Sequence, residues 1–213
     1  MDQSTKCSFP TVFVACLMAW VVAMPAAAGD GPLGIDHRLN YDDQGIWQRR
    51  NQQLVLGGTA GIVLAAALWE GDGTRLGHAS WQAVDSLVLG AAAAQGMKYV
   101  FSRSRPSQTD DPNLWFQGHG NHSFPSGEVM AVTTAVTPFI LEYASEHPAV
   151  WALEVLPAYD AIARVKVQAH WQSDVLASFL IGSAVGAYAH SRASPISVGV
   201  LPHGITIGWK TSF

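Results

Sequence analysis

Cysteine is nearly absent from this chain, and the two that occur, Cys7 and Cys16, lie within the first 28 residues. A chain cut after residue 28 would have no thiol, no disulfide and no cysteine metal site, so its stability has to come from an apolar core. Runs of lysine or arginine are also missing and the formal net charge is −4, which argues against nucleic acid as a partner. His37, His78, His147, His190 and His203 lack metal-ligand spacing and read as surface or satisfied core residues. Asp110-Asp111 reads as a solvated loop pair, so the sequence calls for no metal and no other cofactor. It says nothing of oligomeric state.

What is present begins with an addressing signal. A short polar start with Lys6 leads into an apolar run from Phe9 to Met24, followed by Pro25-Ala26-Ala27-Ala28. A small-residue end of this type predicts a secretory signal peptide cleaved after Ala28 and a periplasmic product. The alternative is an uncleaved amino-terminal anchor. Residues 29–53 are then an amino-terminal extension, 54–192 a catalytic domain and 193–213 a separate tail.

From Leu54 onward, apolar stretches alternate with short polar breaks: Leu54–Trp69, Trp81–Phe101, Val129–Tyr143, Ala149–Ala163 and Val175–Ala189. Their length, their alanine and leucine content and the lack of period-two alternation predict helices in a compact all-α bundle. Gly71-Asp72-Gly73 marks a turn, and the stretch Gln108–His122 a long loop beside the site described next. The tail differs. Ile196–Val200 and Ile205–Trp209 flank Leu201-Pro202-His203-Gly204, which predicts a short β-hairpin.

Three clusters carry the chemistry. In the first, Lys98 and Arg105 are seven residues apart, and Pro106 disfavours the α conformation at Arg105, so the helix should end there and turn Arg105 into the loop. Guanidinium binds phosphate as a two-pronged fork while lysine acts as a point charge, so the pair suits an anion with several oxygens. Arg103 fits a plain dipole-complementing role at the same helix end. In the second cluster, Ser123-Phe124-Pro125-Ser126-Gly127-Glu128 opens an apolar stretch. Either serine can cap, and Gly127 admits an anion to the free N–H groups of a helix start. In the third, Arg164 precedes His170 and Asp174. If the segment is helical, Asp174 lies one turn from His170 and can hold its ring, leaving the other nitrogen to act as nucleophile or base.

In this order and spacing the clusters resemble the type 2 phosphatidic acid phosphatase superfamily, which also contains the bacterial class A acid phosphatases and the vanadium haloperoxidases. The family pattern is Lys-x6-Arg-Pro, then Pro-Ser-Gly-His, then Ser-Arg-x5-His-x3-Asp. The chain matches at Lys98, Arg105, Pro106, Pro125, Ser126, Gly127, Arg164, His170 and Asp174, and the resemblance spans about residues 54 to 190. His170-Trp171-Gln172-Ser173-Asp174-Val175 is similar to the class A acid phosphatases in particular. Two positions depart from the pattern. Ala163 replaces a serine, and Glu128 replaces the histidine that assists the leaving group. A carboxylate among cations is a poor proton donor at neutral pH unless burial raises it, so His119 or His122 are substitutes.

The resemblance implies a phosphatase acting on a phosphate monoester or pyrophosphate, soluble or lipid-linked. His170 would form a phosphohistidine and Asp174 would steady it. Lys98, Arg105, Arg164, Ser126 and the Gly127 amide would bind the phosphoryl oxygens, with Glu128 lining the site. It leaves other readings open: a polytopic inner-membrane lipid phosphatase with its site facing the periplasm, a catalytically weak phosphate or headgroup binder, or a vanadium-dependent haloperoxidase. The apolar stretches are short for membrane spans, and their Glu70–Asp72 and Glu142–Glu146 breaks run against a cytoplasmic placement.

Overall fold

The computed structural model describes residues 30–192, 196–201 and 204–209, so the expected signal peptide lies outside the described residues. Five α-helices follow in order: α1 Arg49–Glu70, α2 Arg75–Phe101, α3 Gly127–Tyr143, α4 Val155–Lys166 and α5 Gln172–His190. Short 3₁₀ turns span Pro32–Gly34, Gly45–Trp47 and Pro148–Glu154. The all-α bundle expected from the sequence is what forms. The fourth apolar stretch divides into a 3₁₀ turn and α4, and α1 and α2 begin five to six residues before the apolar runs predict. Those added turns are polar, and one of them places Arg49 and Gln52 on α1.

The loops are written into the residues that end each helix. Gly71 closes α1 at φ +63°, a conformation that a Cβ disfavours. Thr74 then starts α2 by accepting the Gly77 N–H on its hydroxyl. Ser102 ends α2 in the left-handed conformation, which turns Arg103 and Arg105 off the helix axis.

Central in the bundle is α3, packed between α2 and α5. It carries Pro138 in its interior, which removes the N–H that Thr134 O would accept. Ser86 on α2 donates its hydroxyl to that carbonyl at 2.7 Å, so the break is satisfied from a neighbouring helix. On α5, Gly182 and Gly186 face Thr133 and Thr137, and a Cβ at Gly186 would lie 2.5 Å from Thr137 Cβ. That close approach sets the α3–α5 distance and holds the start of α5 against the start of α3, where the three motifs converge.

The two tail strands, β1 Ile196–Leu201 and β2 Gly204–Trp209, pair antiparallel from Ile196↔Trp209 to Leu201↔Gly204, as the hairpin pattern predicts, and β1 runs beside α1. Across the outside of the bundle, Arg75 at the start of α2 binds Glu142 in the last turn of α3 and Glu146 just beyond it. The acidic break is therefore partly neutralised within the fold.

Candidate active site

His170 lies in the turn between α4 and α5, not on a helix. Lys166 ends α4, Gln168 takes φ +53°, and Trp171 is the residue that precedes α5. The helical spacing that predicted an Asp174–His170 bond is therefore absent. Instead the His170 ring Nδ1 bonds to Ser123 O, 47 residues away, at 2.5 Å. A carbonyl only accepts, so Nδ1 carries the proton and Nε2 keeps its lone pair.

Asp174 holds the same residue from its other side. Its Oδ2 accepts the Ser123 hydroxyl and, at 2.9 Å, the Trp171 N–H, while its Oδ1 accepts Arg103 at 2.5 Å. Asp174 thus orients His170 through Ser123 rather than by direct contact. Arg103 is wholly buried and is no dipole-complementing surface residue, which corrects the simpler reading of the first cluster. It also binds Asp36 at 2.6 Å, Ser173 Oγ at 2.8 Å and Pro112 O, and lies 4.3 Å over the Trp115 ring. Asp36 in turn accepts the Ser173 amide and hydroxyl. Through this node the amino-terminal extension is strapped to the long loop and to the start of α5.

The phosphate-binding candidates gather on the open side of His170. Lys98 reaches from α2 to His122 O at 2.9 Å and Pro125 O at 2.6 Å, and its Cε lies 3.6 Å from where a Gly127 Cβ would stand. It therefore lies at the amino terminus of α3, as the second motif requires. Arg105 donates to the same His122 carbonyl. Arg164 reaches from the last turn of α4 to Gln52 at 2.9 Å. Among the described residues, the buried polar atoms here without a partner are Ser126 Oγ, Arg164 Nε, His122 Nδ1 and both Asp160 carboxyl oxygens. Ser126 occupies the cap position of α3 without capping it, and its own N–H is taken by Ser178. Since buried polar atoms are nearly always paired, Ser126 Oγ and Arg164 Nε, both able to donate, are the candidates for contact with ligand oxygens.

Electrostatics follow from burial among like charges. Burial, then the charges of Arg164, Lys98 and Arg105, hold the His170 pKa well below its ordinary value, so the imidazole is neutral at physiological pH. Burial and the neighbouring Arg105 bring the Lys98 ammonium down to about 8. Glu128 shows the opposite balance. Burial raises it, but the Arg49 hydrogen bond at 2.6 Å and the charges of Arg164, Arg49 and Arg105 outweigh that and hold it below the usual carboxylate range. Its Oε1 is 3.7 Å from Arg164 Nη1. At neutral pH Glu128 is an ionised group facing the cations of the site.

All eight residues singled out from the sequence converge on this one end of the bundle. Those that sequence reading missed are Ser123 as the ring's anchor, Arg103 with Asp36, and Arg49 with Gln52. Only long-range contacts reveal them; no local spacing carries the signal.

The PAP2 superfamily model matches residues 79–194, a span that contains every motif. The chain is 32% identical over 132 residues to a lipid A 1-phosphatase of Porphyromonas gingivalis, covering 58% of this chain and 27% of that protein. It is 29% identical over 102 residues to an undecaprenyl-diphosphatase of Sulfolobus acidocaldarius, covering 47% of this chain and 48% of that protein. It therefore matches about a quarter to a half of the length of these relatives. No solved structure matches the chain. With the family pattern spanning more than half of the chain and its motif residues gathered around one neutral histidine, the chain belongs to the PAP2 superfamily.

Proposed function

We propose that this chain is a phosphatase that removes a terminal phosphoryl group from a lipid-linked phosphate ester or diphosphate, through a phosphohistidine formed on His170. The observation that carries this reading is the state of His170: a neutral ring with Nδ1–H bound to Ser123 O and a free Nε2 lone pair, ringed by Lys98, Arg105 and Arg164. A nucleophile without a proton to lose, set among fixed cations, suits phosphoryl transfer, where positioning and charge stabilisation supply most of the acceleration.

In the proposed cycle, substrate phosphate takes the unpartnered Ser126 Oγ and Arg164 Nε, the α3 amides at Gly127, and the charges of Lys98 and Arg105. Nε2 attacks phosphorus in line. The positive charge that develops on the ring is steadied by the Ser123 carbonyl, which Asp174 holds in place through the Ser123 hydroxyl. Water then displaces phosphate from Nε2 and restores the histidine.

Two observations favour a lipid-linked substrate. Both relatives are named for phosphatases of lipid-linked phosphate, and α1 is apolar yet mostly unburied, with Trp69 89% exposed. Among the described residues α1 alone is long and apolar enough to cross a bilayer. It also brings Arg49 and Gln52 to the site, so a membrane holding α1 would hold the site at its surface, on the periplasmic face if the leader acts as expected.

The test uses the full chain purified in mild detergent. Phosphate release is measured from a polyprenyl diphosphate, a lipid A 1-phosphate, phosphatidic acid and a nitrophenyl ester, and acid-labile label is trapped from radioactive substrate. Lipid turnover and a label that His170→Ala abolishes are expected. Undiminished turnover in His170→Ala would overturn the covalent route, and turnover of the nitrophenyl ester alone would overturn the lipid assignment.

A further inference from the structure

The reaction above requires a proton for the departing oxygen, and the family's histidine for that task is here Glu128, clamped by Arg49 and ionised. One buried carboxyl nearby has a proton to give. Asp160 lies on α4 one turn before Arg164, on the same helix face. Its side chain is 0% exposed, and both of its carboxyl oxygens lack any hydrogen-bond partner. A carboxylate left so would be among the costliest groups in the molecule, whereas a neutral acid is tolerable.

The charged groups that act on it are Glu128 from α3, Arg164 from its own helix and Arg49 from α1, Glu128 most strongly. Burial and then the Glu128 charge raise its pKa to about 7, against the opposing pull of Arg164 and Arg49. The two carboxyls are thus driven apart, one ionised and one protonated, which is the arrangement that separates acid from base in carboxylate pairs.

Building on the phosphatase reading, we propose that Asp160 is the proton store of the reaction, acting through Glu128, which faces the substrate. As Nε2 bonds to phosphorus and the P–O ester bond breaks, the leaving oxygen takes its electron pair and accepts from Glu128 a proton that the Asp160 carboxyl hands over when the two side chains, not bonded to each other in the free protein, meet in the substrate complex. Asp160 is left as the carboxylate. In the second step water attacks the phosphohistidine, its proton passes back along the same two carboxyls, and the ring nitrogen leaves with its lone pair. Protons balance over the cycle, with water the sole co-reactant. Arg49 and Arg164 stabilise the extra negative charge between the steps. Asp160 is a positioning and storage residue, and Glu128 is the group that meets substrate.

The experiment compares an alkyl phosphate, whose leaving oxygen needs a proton, with a nitrophenyl phosphate, which does not. Wild type, Asp160→Asn, Asp160→Glu and His122→Asn are assayed for kcat from pH 5 to 9, with the fold checked by circular dichroism and thermal unfolding. Asp160→Asn keeps the shape and removes the acid. It is expected to slow the alkyl ester about 100-fold or more, the range of general-acid contributions, to slow the nitrophenyl ester less than about fivefold, and to lose the wild-type decline in kcat near pH 7. Asp160→Glu restores part of the alkyl activity.

Equal losses for both esters, an unchanged decline near pH 7, or the leaving-group effect appearing in His122→Asn instead would overturn the proposal. If Asp160→Asn fails to fold, a decline near pH 7 left unchanged in Asp160→Glu overturns the proposal and a shifted decline supports it. A wild type that cleaves neither ester nor any lipid phosphate overturns the phosphatase reading itself, a distinct failure.

Discussion

Two carboxylate networks flank His170, and they are built on opposite terms. On one side Asp174 and Asp36 surround Arg103, and every carboxyl oxygen and guanidinium nitrogen has a partner. On the other side Glu128 and Asp160 face Arg49 and Arg164, and Arg164 Nε, both Asp160 oxygens and the neighbouring Ser126 Oγ are left without partners. Arg49 and Glu128 reach the surface, but the atoms left without partners are as fully buried as those of the closed network. Desolvation therefore cannot account for the difference; what differs is whether the protein completes the network itself or leaves places for substrate atoms. The closed network locates the histidine, and the open one is where the proposed function puts the phosphate.

The sharpest way to break this contrast is at Arg103. Arg103→Met should destabilise the fold by about 3–5 kcal/mol, because it strands two buried carboxylates, and chemical denaturation measures it. Removal of the nucleophile should do the reverse. His170→Ala is expected to lower turnover by roughly 10⁴-fold or more, in line with loss of a covalent nucleophile, while the unfolding midpoint changes little. Between these, Asp174→Asn should cut kcat about 10- to 100-fold without abolishing it. It weakens the hold on Ser123 but leaves Ser123 O on the ring, and a pre-steady-state burst of labelled enzyme would report it.

Smaller effects test the open side. Ser126→Ala removes a hydroxyl with no partner, so it should cost no stability and lower kcat/KM roughly tenfold, near the worth of one hydrogen bond to a charged group. A Ser126→Ala protein that loses stability without losing kcat/KM would assign that hydroxyl to structure. The pH dependence has a definite sign. Lys98 is charged below about 8, so its share of phosphate attraction is present below that value and fades above it. Inhibition by inorganic phosphate should weaken as pH rises through 8, and Lys98→Arg should move that loss to higher pH.

A last linkage concerns stability alone. The Asp160 pKa is raised on folding, so the native state binds more protons than the unfolded chain between about pH 4 and 7. Stability should fall with rising pH across that window, and Asp160→Asn should flatten the slope in thermal unfolding scans.

Much of the molecule was legible beforehand because its signals are local. Apolar runs without alternation predict helices, the Ser126-Gly127 pair predicts where α3 starts, and charged residue types in a set order predict an anion site, whereas Pro106 predicts a stop at Arg105 and α2 ends earlier, at Phe101, where Ser102 turns left-handed. The misreadings share one cause. Asp174 and His170 fit a helical spacing, but Gln168 in the left-handed region turns the chain just before His170 and α5 begins only at Gln172, so a one-turn relationship on paper became a contact through a third residue. Arg103 looked like one more charge at a helix end, since nothing adjacent discloses that Asp36 will reach it.

The amino-acid sequence by itself determined the all-α architecture, the hairpin pattern and the roster of candidate phosphate-binding residues, because propensity, helix termination and charge act over a few residues. Tertiary structure alone decided which groups are paired and which are left open. Ser123 meets Asp174 across 51 positions and Ser173 meets Asp36 across 137, and whether a buried carboxyl keeps or loses its proton depends on the charges that distant helices bring beside it.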